Sequence, residues 1–487
     1  MNNPIDRLFD QERFDRDKTK TDSREVKPGD IFVAIRGAAH DGHDYVRDAL
    51  KKGAQCVLCE HEVSGLEEED RDKIMVFEDT RIALANIAKH IFADPSNSLS
   101  VYGVTGTNGK TTTVFLIDGI LNNAARPAGL VSTVFTKVSG DVLERASITT
   151  PDSITLNRLL AEMVSSGKQA AAVEMSSHAL DQKRVWGIEL DSAVFTNITP
   201  EHLDYHGDMS RYLKDKSKIF QDLKPNGTGV LNRDDPMVIS LAKTIDVPRL
   251  VTFGMGDNAD ISSRNVRLSI EGTEFDLVAG KLGSTHVCSR LIGKHNVYNI
   301  LAAVAALSGS GLSLDEIGEG LERAQAVPGR LDAVCAQAPF KVFVDYAHTP
   351  DALKNVLLCL GSLATGKLIC VFGCGGDRDR TKRPVMGKIA TGICDRVILT
   401  SDNPRTEDPQ EILRQIEKGV LKKNNYSIIE RRGDPIREAL TTAGEGDIVI
   451  IAGKGHEDYQ ITGDSRTHFE DKEAAGEVLR ELGYSIT

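Results

Sequence analysis

The chain lacks several things, and each absence removes a class of protein. It has no excess of positive charge: 59 Lys+Arg stand against 71 Asp+Glu, a formal net charge of -12. Duplex nucleic acid and anionic membranes both recruit basic surfaces, so neither is expected as a partner. No apolar run approaches the roughly 20 residues that cross a bilayer; residues 300–307 form one of the longest. Residues 1–22 are charged and polar, without the apolar centre of a secretory signal. Cysteine is sparse, eight in 487 residues, too thin for a disulfide framework. Cys56-Val57-Leu58-Cys59 has CxxC spacing, but it stands in a strand-like run with no second pair. Buried small side chains explain it better than zinc or redox chemistry. Internal repeats and low-complexity tracts are also missing. What remains is 40% hydrophobic, enough for real cores. A cytoplasmic protein of about three domains is expected.

Strand-like apolar runs alternate with helix-length segments almost throughout, which predicts an α/β fold. Residues 31–35 and 55–59 read as strands with a helix over 45–52 between them, and residues 81–92 as a further helix. The polar break at 93–98 ends that unit. Strands are predicted at 100–105, 170–174 and 193–196, and an Ala-rich helix at 299–307. A second break falls at Val327-Pro328-Gly329-Arg330. Beyond it, residues 341–345, 368–372, 396–400 and 447–452 look like buried strands of a doubly wound, Rossmann-like sheet. The expected domains are 1–97, 98–328 and 329–487.

The strongest local signal is Gly106-Thr107-Asn108-Gly109-Lys110-Thr111-Thr112, directly after the strand at 100–105. Glycines let backbone N–H groups approach phosphate oxygens, and the following helix adds its positive end. Lys110 would reach the outer phosphates, and the Thr111 hydroxyl would hold Mg²⁺. The usual spacing wants Gly where this chain has Val104, so the loop is a variant; a purely structural turn is the bland alternative. Guanine recognition would need an Asn-Lys-x-Asp element. The nearest match, Asn232-Arg233-Asp234-Asp235, lacks the Lys, which favours ATP.

This loop resembles the ATP loop of the Mur ligases, the amide-forming enzymes of peptidoglycan precursor synthesis. Further runs agree in order along the chain: Asp22-Ser23-Arg24, Glu174-Met175-Ser176-Ser177-His178, and Asn197-Ile198-Thr199-Pro200-Glu201-His202-Leu203-Asp204-Tyr205-His206-Gly207. Then come Gly293-Lys294-His295-Asn296, Pro328-Gly329-Arg330, Asp345-Tyr346-Ala347-His348-Thr349-Pro350 and Gly373-Cys374-Gly375-Gly376-Asp377-Arg378. The last are Asp402-Asn403-Pro404-Arg405 and Gly453-Lys454-Gly455-His456-Glu457. Within the family the chain is most similar to the MurE type, which adds the third peptide residue to UDP-N-acetylmuramoyl-L-alanyl-D-glutamate.

The resemblance implies an N-terminal UDP-substrate domain, a central P-loop-type ATPase domain and a C-terminal Rossmann-like domain that binds the amino acid. It implies a monomer using ATP and Mg²⁺. Thr111, Glu174 and His202 would serve the metal, joined by Lys216 as a carbamate. By sequence alone Lys214 and Lys218 are equally placed for that last role. Lys110, Glu174, His202 and Lys216 form the implied catalytic set. Asn296, Arg330 and Asp345 would complete the ATP site. Thr21, Ser23, Ala38, Ala39, His40, Thr149, Thr150, Ser176, Gln182 and Arg184 would hold the UDP-linked substrate; position 148 is Ile where some relatives carry a polar residue. Arg378, Asp402, Asn403, Pro404, Arg405, Gly453 and Glu457 would hold meso-2,6-diaminopimelate. Arg405 suits its extra carboxylate and Glu457 an ammonium; an Asn-Pro turn is the structural alternative.

Three alternatives stand beside this one. A lysine-adding form would not need Arg405. A folylpolyglutamate-synthase-like ligase would not need the element at 22–42. A nucleotide-switched regulatory protein would leave the amino-acid-binding residues without a purpose.

Overall fold

The computed structural model describes residues 18–37, 40–140, 142–146, 148–334, 337–421 and 424–486. Ala38 and Ala39 lie outside the described residues. Three parallel-stranded sheets follow one another along the chain, each covered on both faces.

In the first, strands Thr19–Lys20, Ile31–Val33, Cys56–Cys59 and Ile74–Val76 run parallel in sequence order. Successive strand residues point to opposite faces. Ile31, Val33, Cys56 and Leu58 therefore pack on helix Thr80–Ile91 through Leu84 and Ile87, while Phe32, Val57 and Cys59 pack on helix Val46–Lys51. The two cysteines of the CxxC run are buried in separate cores and cannot share a metal. Asp79 caps the second helix by accepting from the N–H groups of Arg81 and Ile82.

The second sheet has eight strands, ordered Arg249–Phe253, Leu223–Asn232, Leu190–Phe195, Ser100–Thr105, Ala170–Glu174, Ala128–Val131, Phe135–Lys137 and Glu144–Arg145. The first six are parallel and the last two antiparallel. Ser100–Thr105 sits where the strand order reverses, with later strands added on either side. Crevices at the carboxyl ends of such strands are where α/β sheets bind ligands. Helices Lys110–Asn123 and Lys294–Leu307 cover one face; Ser153–Ser165, Ser177–Asp181 and Met209–Ser217 cover the other. A three-stranded antiparallel sheet, Ser262–Leu268, Thr273–Val278 and Ser284–Ser289, packs beside helix Leu314–Arg323.

The third sheet is ordered Asp332–Ala333, Lys341–Asp345, Ile448–Ala452, Leu368–Phe372, Arg396–Leu399 and Tyr426–Ile428, parallel except for its first strand. A hairpin, Tyr459–Thr462 with Ser465–His468, follows it. Among the described residues no helix is long and apolar enough to cross a membrane.

Candidate functional site

Between strand Ser100–Thr105 and helix Lys110–Asn123 the loop keeps its glycines for steric reasons. Gly106 has φ +144° and Gly109 +86°, and a Cβ there would strike Thr196 Oγ1 and Asn299 Oδ1, respectively. Val104 belongs to the buried strand, not to the turn, so that position needs no glycine. Lys110 folds back, donating from Nζ to the carbonyls of Gly106 at 3.0 Å and Thr107 at 2.9 Å. Asn108 and Thr112 line the same cavity. Thr111 Oγ1 donates to Glu174 Oε2 at 3.0 Å, and Glu174 also accepts from Thr133 N–H and Oγ1.

The three candidate lysines now separate. Lys214 is exposed, and Lys218 is spent on ion pairs with Asp181 at 2.8 Å and Asp215 at 2.6 Å. Lys216 is 2% exposed, lies over the Tyr212 ring and donates to Gly106 O at 2.7 Å. Burial, reinforced by the Lys110 charge, drives its ammonium well below the ordinary range.

His202 begins helix Leu203–His206 in a left-handed conformation, φ 54°, half-exposed beside Glu201. Its ring meets His178 edge-on at 4.8 Å. Glu201 itself was not singled out from the sequence. Burial raises its pKa, but Lys110, His202, His348 and Lys216 outweigh that and hold its carboxyl low. It stands in the run at 197–207, but apart from its neighbour His202 those partners come from separate elements that only the fold brings together. His348 and His456 also face the site; burial, then Lys382 and Arg330 respectively, lower them to about 4 and about 3.

The third sheet closes over the loop. Arg330 Nη2 reaches Thr111 Oγ1 at 3.5 Å, its guanidinium stacks on Tyr346 at 4.6 Å, and its Nε is buried without a partner among the described residues. Asn108 donates to Asp351 Oδ2 at 3.1 Å. Asp345 takes the N–H groups of Leu331 and Ala347 on its two oxygens, so it also anchors the backbone next to Arg330. Asn296 is buried too, and its Oδ1 accepts from Asn299. All of these line one cavity of about 1140 Å³.

A second cavity of about 1220 Å³ adjoins it, sharing Thr133, Thr149, Glu201, His202 and His348. Arg378, Asp402, Asn403, Arg405, Gly453 and Glu457 line it, whereas Pro404 does not. Arg405 is left-handed, φ 53°, and aims its guanidinium by donating to Gly376 O at 2.8 Å. Asn403 donates to Glu457 Oε2 at 2.7 Å. Burial, then the Asp402 charge, raises Glu457, with buried Lys454 opposing. A Cβ at Gly453 would lie 2.8 Å from Asp402 Oδ2.

A third cavity, about 610 Å³, meets the second at Arg145, Ala146 and Ile148. It is lined by Thr21, Gln182 and Arg184, among others, and spans the first and second sheets. Gln182 Oε1 accepts from Arg184 Nη2 at 2.7 Å, and Arg184 Nη1 donates to Thr150 O at 3.1 Å. Thr150 Oγ1 ties Glu174 O to the N–H of Ser176. Ser23 and His40 do not line this cavity; Ser23 instead offers its carbonyl to Lys52.

Among known proteins, three families match in register: Mur ligase family, catalytic domain, over residues 18–91; Mur ligase middle domain over 104–307; and Mur ligase, glutamate ligase domain, over 329–455. The UDP-N-acetylmuramoyl-L-alanyl-D-glutamate--2,6-diaminopimelate ligase of Halalkalibacterium halodurans is 45% identical over 463 residues, covering 94% of this chain and 93% of that protein. The enzyme of the same name from Geobacter sulfurreducens is 42% identical over 484 residues, covering 94% and 93%. A solved structure of a ligase of that name is 33% identical with TM-score 0.69, covering 96% of both chains. The Thermotoga maritima MurF ligase, solved with ADP, shares the fold at 21% identity and TM-score 0.62, covering 99% of both.

Proposed function

Since the chain belongs to the Mur ligase family, we propose that it joins meso-2,6-diaminopimelate to the D-glutamate of UDP-N-acetylmuramoyl-L-alanyl-D-glutamate, in peptidoglycan precursor synthesis. The reaction is an ATP-dependent ligation. The D-glutamate side-chain carboxylate attacks the γ-phosphorus of ATP, giving an acyl phosphate and ADP. The diaminopimelate amine then attacks the acyl carbon, forming the amide and releasing phosphate and a proton. The observation that supports this most is the series of three joined cavities. The cavity of Arg184 leads into that of Arg405, and this opens onto the phosphate loop past Glu201, His202 and His348.

Each cavity has chemistry suited to one reactant. Lys110, Arg330 and the N–H groups at the start of helix Lys110–Asn123 offer positive charge to phosphates; the unpartnered Arg330 Nε is one such donor. Arg184 suits the anionic UDP-linked substrate. Arg405 and Glu457 suit a carboxylate and an ammonium of the amino acid. The contacts from Arg330 and Asp351 bring the third sheet against the loop, and closing that cleft around the substrates would exclude water from an acyl phosphate.

Mg²⁺ fits this donor set. Thr111 Oγ1 and the Glu174 carboxylate are hard oxygen donors at the loop mouth. Among the described residues no three His, Cys, Asp or Glu cluster into a metal cage. A partial shell completed by phosphates and water is what Mg²⁺ prefers. When bound, it would neutralise charge on the transferring phosphoryl group. In its deprotonated form the buried Lys216 amine is able to add carbon dioxide, losing a proton to give a carbamate anion, an oxygen donor where the ammonium would be a repelling cation.

The test is phosphate release by purified protein with ATP, Mg²⁺ and the UDP-linked dipeptide, offering each amino acid separately. Turnover with diaminopimelate is expected. Turnover with lysine alone would overturn the specificity, and no amino-acid-dependent release would overturn the function.

A further inference from the structure

The amino-acid cavity holds a cation that the motifs do not include. Six Arg or Lys side chains line it: Arg145, Arg378, Arg380, Lys382, Arg405 and Arg466. Two are neutralised internally, Arg145 by Asp458 and Glu470 and Arg380 by Glu407. Lys382 is anchored on the His348 carbonyl. Among the described residues Arg378 and Arg405 donate only to the carbonyls of Asp377 and Gly376. Arg466 forms no ion pair among the described residues, yet it is held in place, its guanidinium 3.9 Å above the Tyr459 ring. Tyr459 and Arg466 stand on the two strands of the hairpin, where Ile461 pairs with Arg466. The hairpin is tied to the Arg405 loop: Arg405 N–H donates to Ile461 O, and Gly463 N–H donates to Arg405 O at 2.7 Å.

A guanidinium stacked on an aromatic ring keeps its in-plane N–H donors available. An exposed arginine without a carboxylate would ordinarily wander in solvent; here stacking fixes it in the lining that also holds Asp402 and Glu457. The cavity therefore carries both signs of charge, as a zwitterion with more than one carboxylate requires. Building on the function proposed above, we propose that Arg466, positioned by Tyr459, binds a carboxylate of the incoming amino acid alongside Arg405.

The experiment is steady-state kinetics on the full chain with Arg466→Met, which keeps the stem and removes the donors, and with Arg466→Lys. Arg466→Met should raise KM for diaminopimelate about tenfold or more, the scale of a lost charge-assisted pair. Arg466→Lys should fall between it and the wild type, and Tyr459→Leu should follow Arg466→Met more weakly. Exchange of labelled ADP into ATP, run with the UDP-linked substrate and no amino acid, reports the other two cavities and should keep its wild-type rate. An unchanged KM for diaminopimelate, or an equal loss in the exchange, would overturn the assignment. Failure of the wild type itself to use diaminopimelate would overturn the proposed function instead.

Discussion

Gly106→Ala should cost the central sheet several kcal/mol, and the structure gives each part. The residue sits at φ +144°, a conformation that L side chains avoid, at about 1–3 kcal/mol. Its Cβ would lie 3.1 Å from Asn197 O and 3.2 Å from Asn197 N, and inside the radius of Thr196 Oγ1. Thr196 Oγ1 would have to leave its bonds to Thr105 O at 3.2 Å and Asn108 O at 2.6 Å, about 1 kcal/mol each. Together these amount to about 3–5 kcal/mol, or roughly 6–20 °C in the melting of a unit of this size. Lys110 and Lys216 both donate to Gly106 O, so nucleotide affinity should fall too. Gly119→Ala is the control. It lies within helix Lys110–Asn123 with nothing within 4 Å of a new Cβ, and should stabilise by about 0.5–1 kcal/mol. Calorimetry of both variants measures the difference. A Gly106→Ala melting point within about 2 °C of the wild type would refute the steric argument.

Arg405→Ala should weaken diaminopimelate binding by about 2–5 kcal/mol by leaving a carboxylate unpaired in a closed cavity; calorimetric titration with nucleotide present measures it, and unchanged affinity would count against the role. Arg432 and Asp471 are both fully buried and pair at 2.7 Å. Arg432→Met should therefore destabilise by about 3–5 kcal/mol in denaturant, and adding Asp471→Leu should recover much of that. Burial, aided at His348 and His456 by nearby cations, lowers those two histidines and His295 to about 4, 3 and 4 respectively. The unfolded chain then binds more protons than the folded one below pH 6.5, so stability is full above that pH. It should fall with acidification by up to about 1.4 kcal/mol per histidine per pH unit; a flat profile between pH 6.5 and 5 would contradict this.

Local pattern was enough for the long buried strands. Residues 100–105, 170–174 and 341–345 each have an apolar centre bounded by a polar or charged residue, and the structure places strands there with the same ends. It was less complete where burial comes from elsewhere. Helix Lys294–Leu307 starts five residues before the Ala-rich stretch, and strand Leu190–Phe195 three residues before its apolar centre. The short strands Phe135–Lys137 and Glu144–Arg145 and the hairpin at 459–468 carry polar, half-exposed residues and no readable period. Yet they supply Arg145 and Arg466 to the cavities.

The sequence by itself determined the α/β class, the phosphate loop and the family, because those depend on neighbouring residues whose spacing is chemistry. Tertiary structure alone buries Lys216 while leaving Lys214 exposed and Lys218 in ion pairs, since burial is decided by what packs on a helix face from outside it. It alone brought Arg330 to Thr111 across 219 residues and set Lys110, Lys216 and His348 around Glu201. It also separated Cys56 from Cys59 into different cores. Spacing along a chain fixes which groups are near in sequence; only packing fixes which charges lose water together, and that loss sets their chemistry.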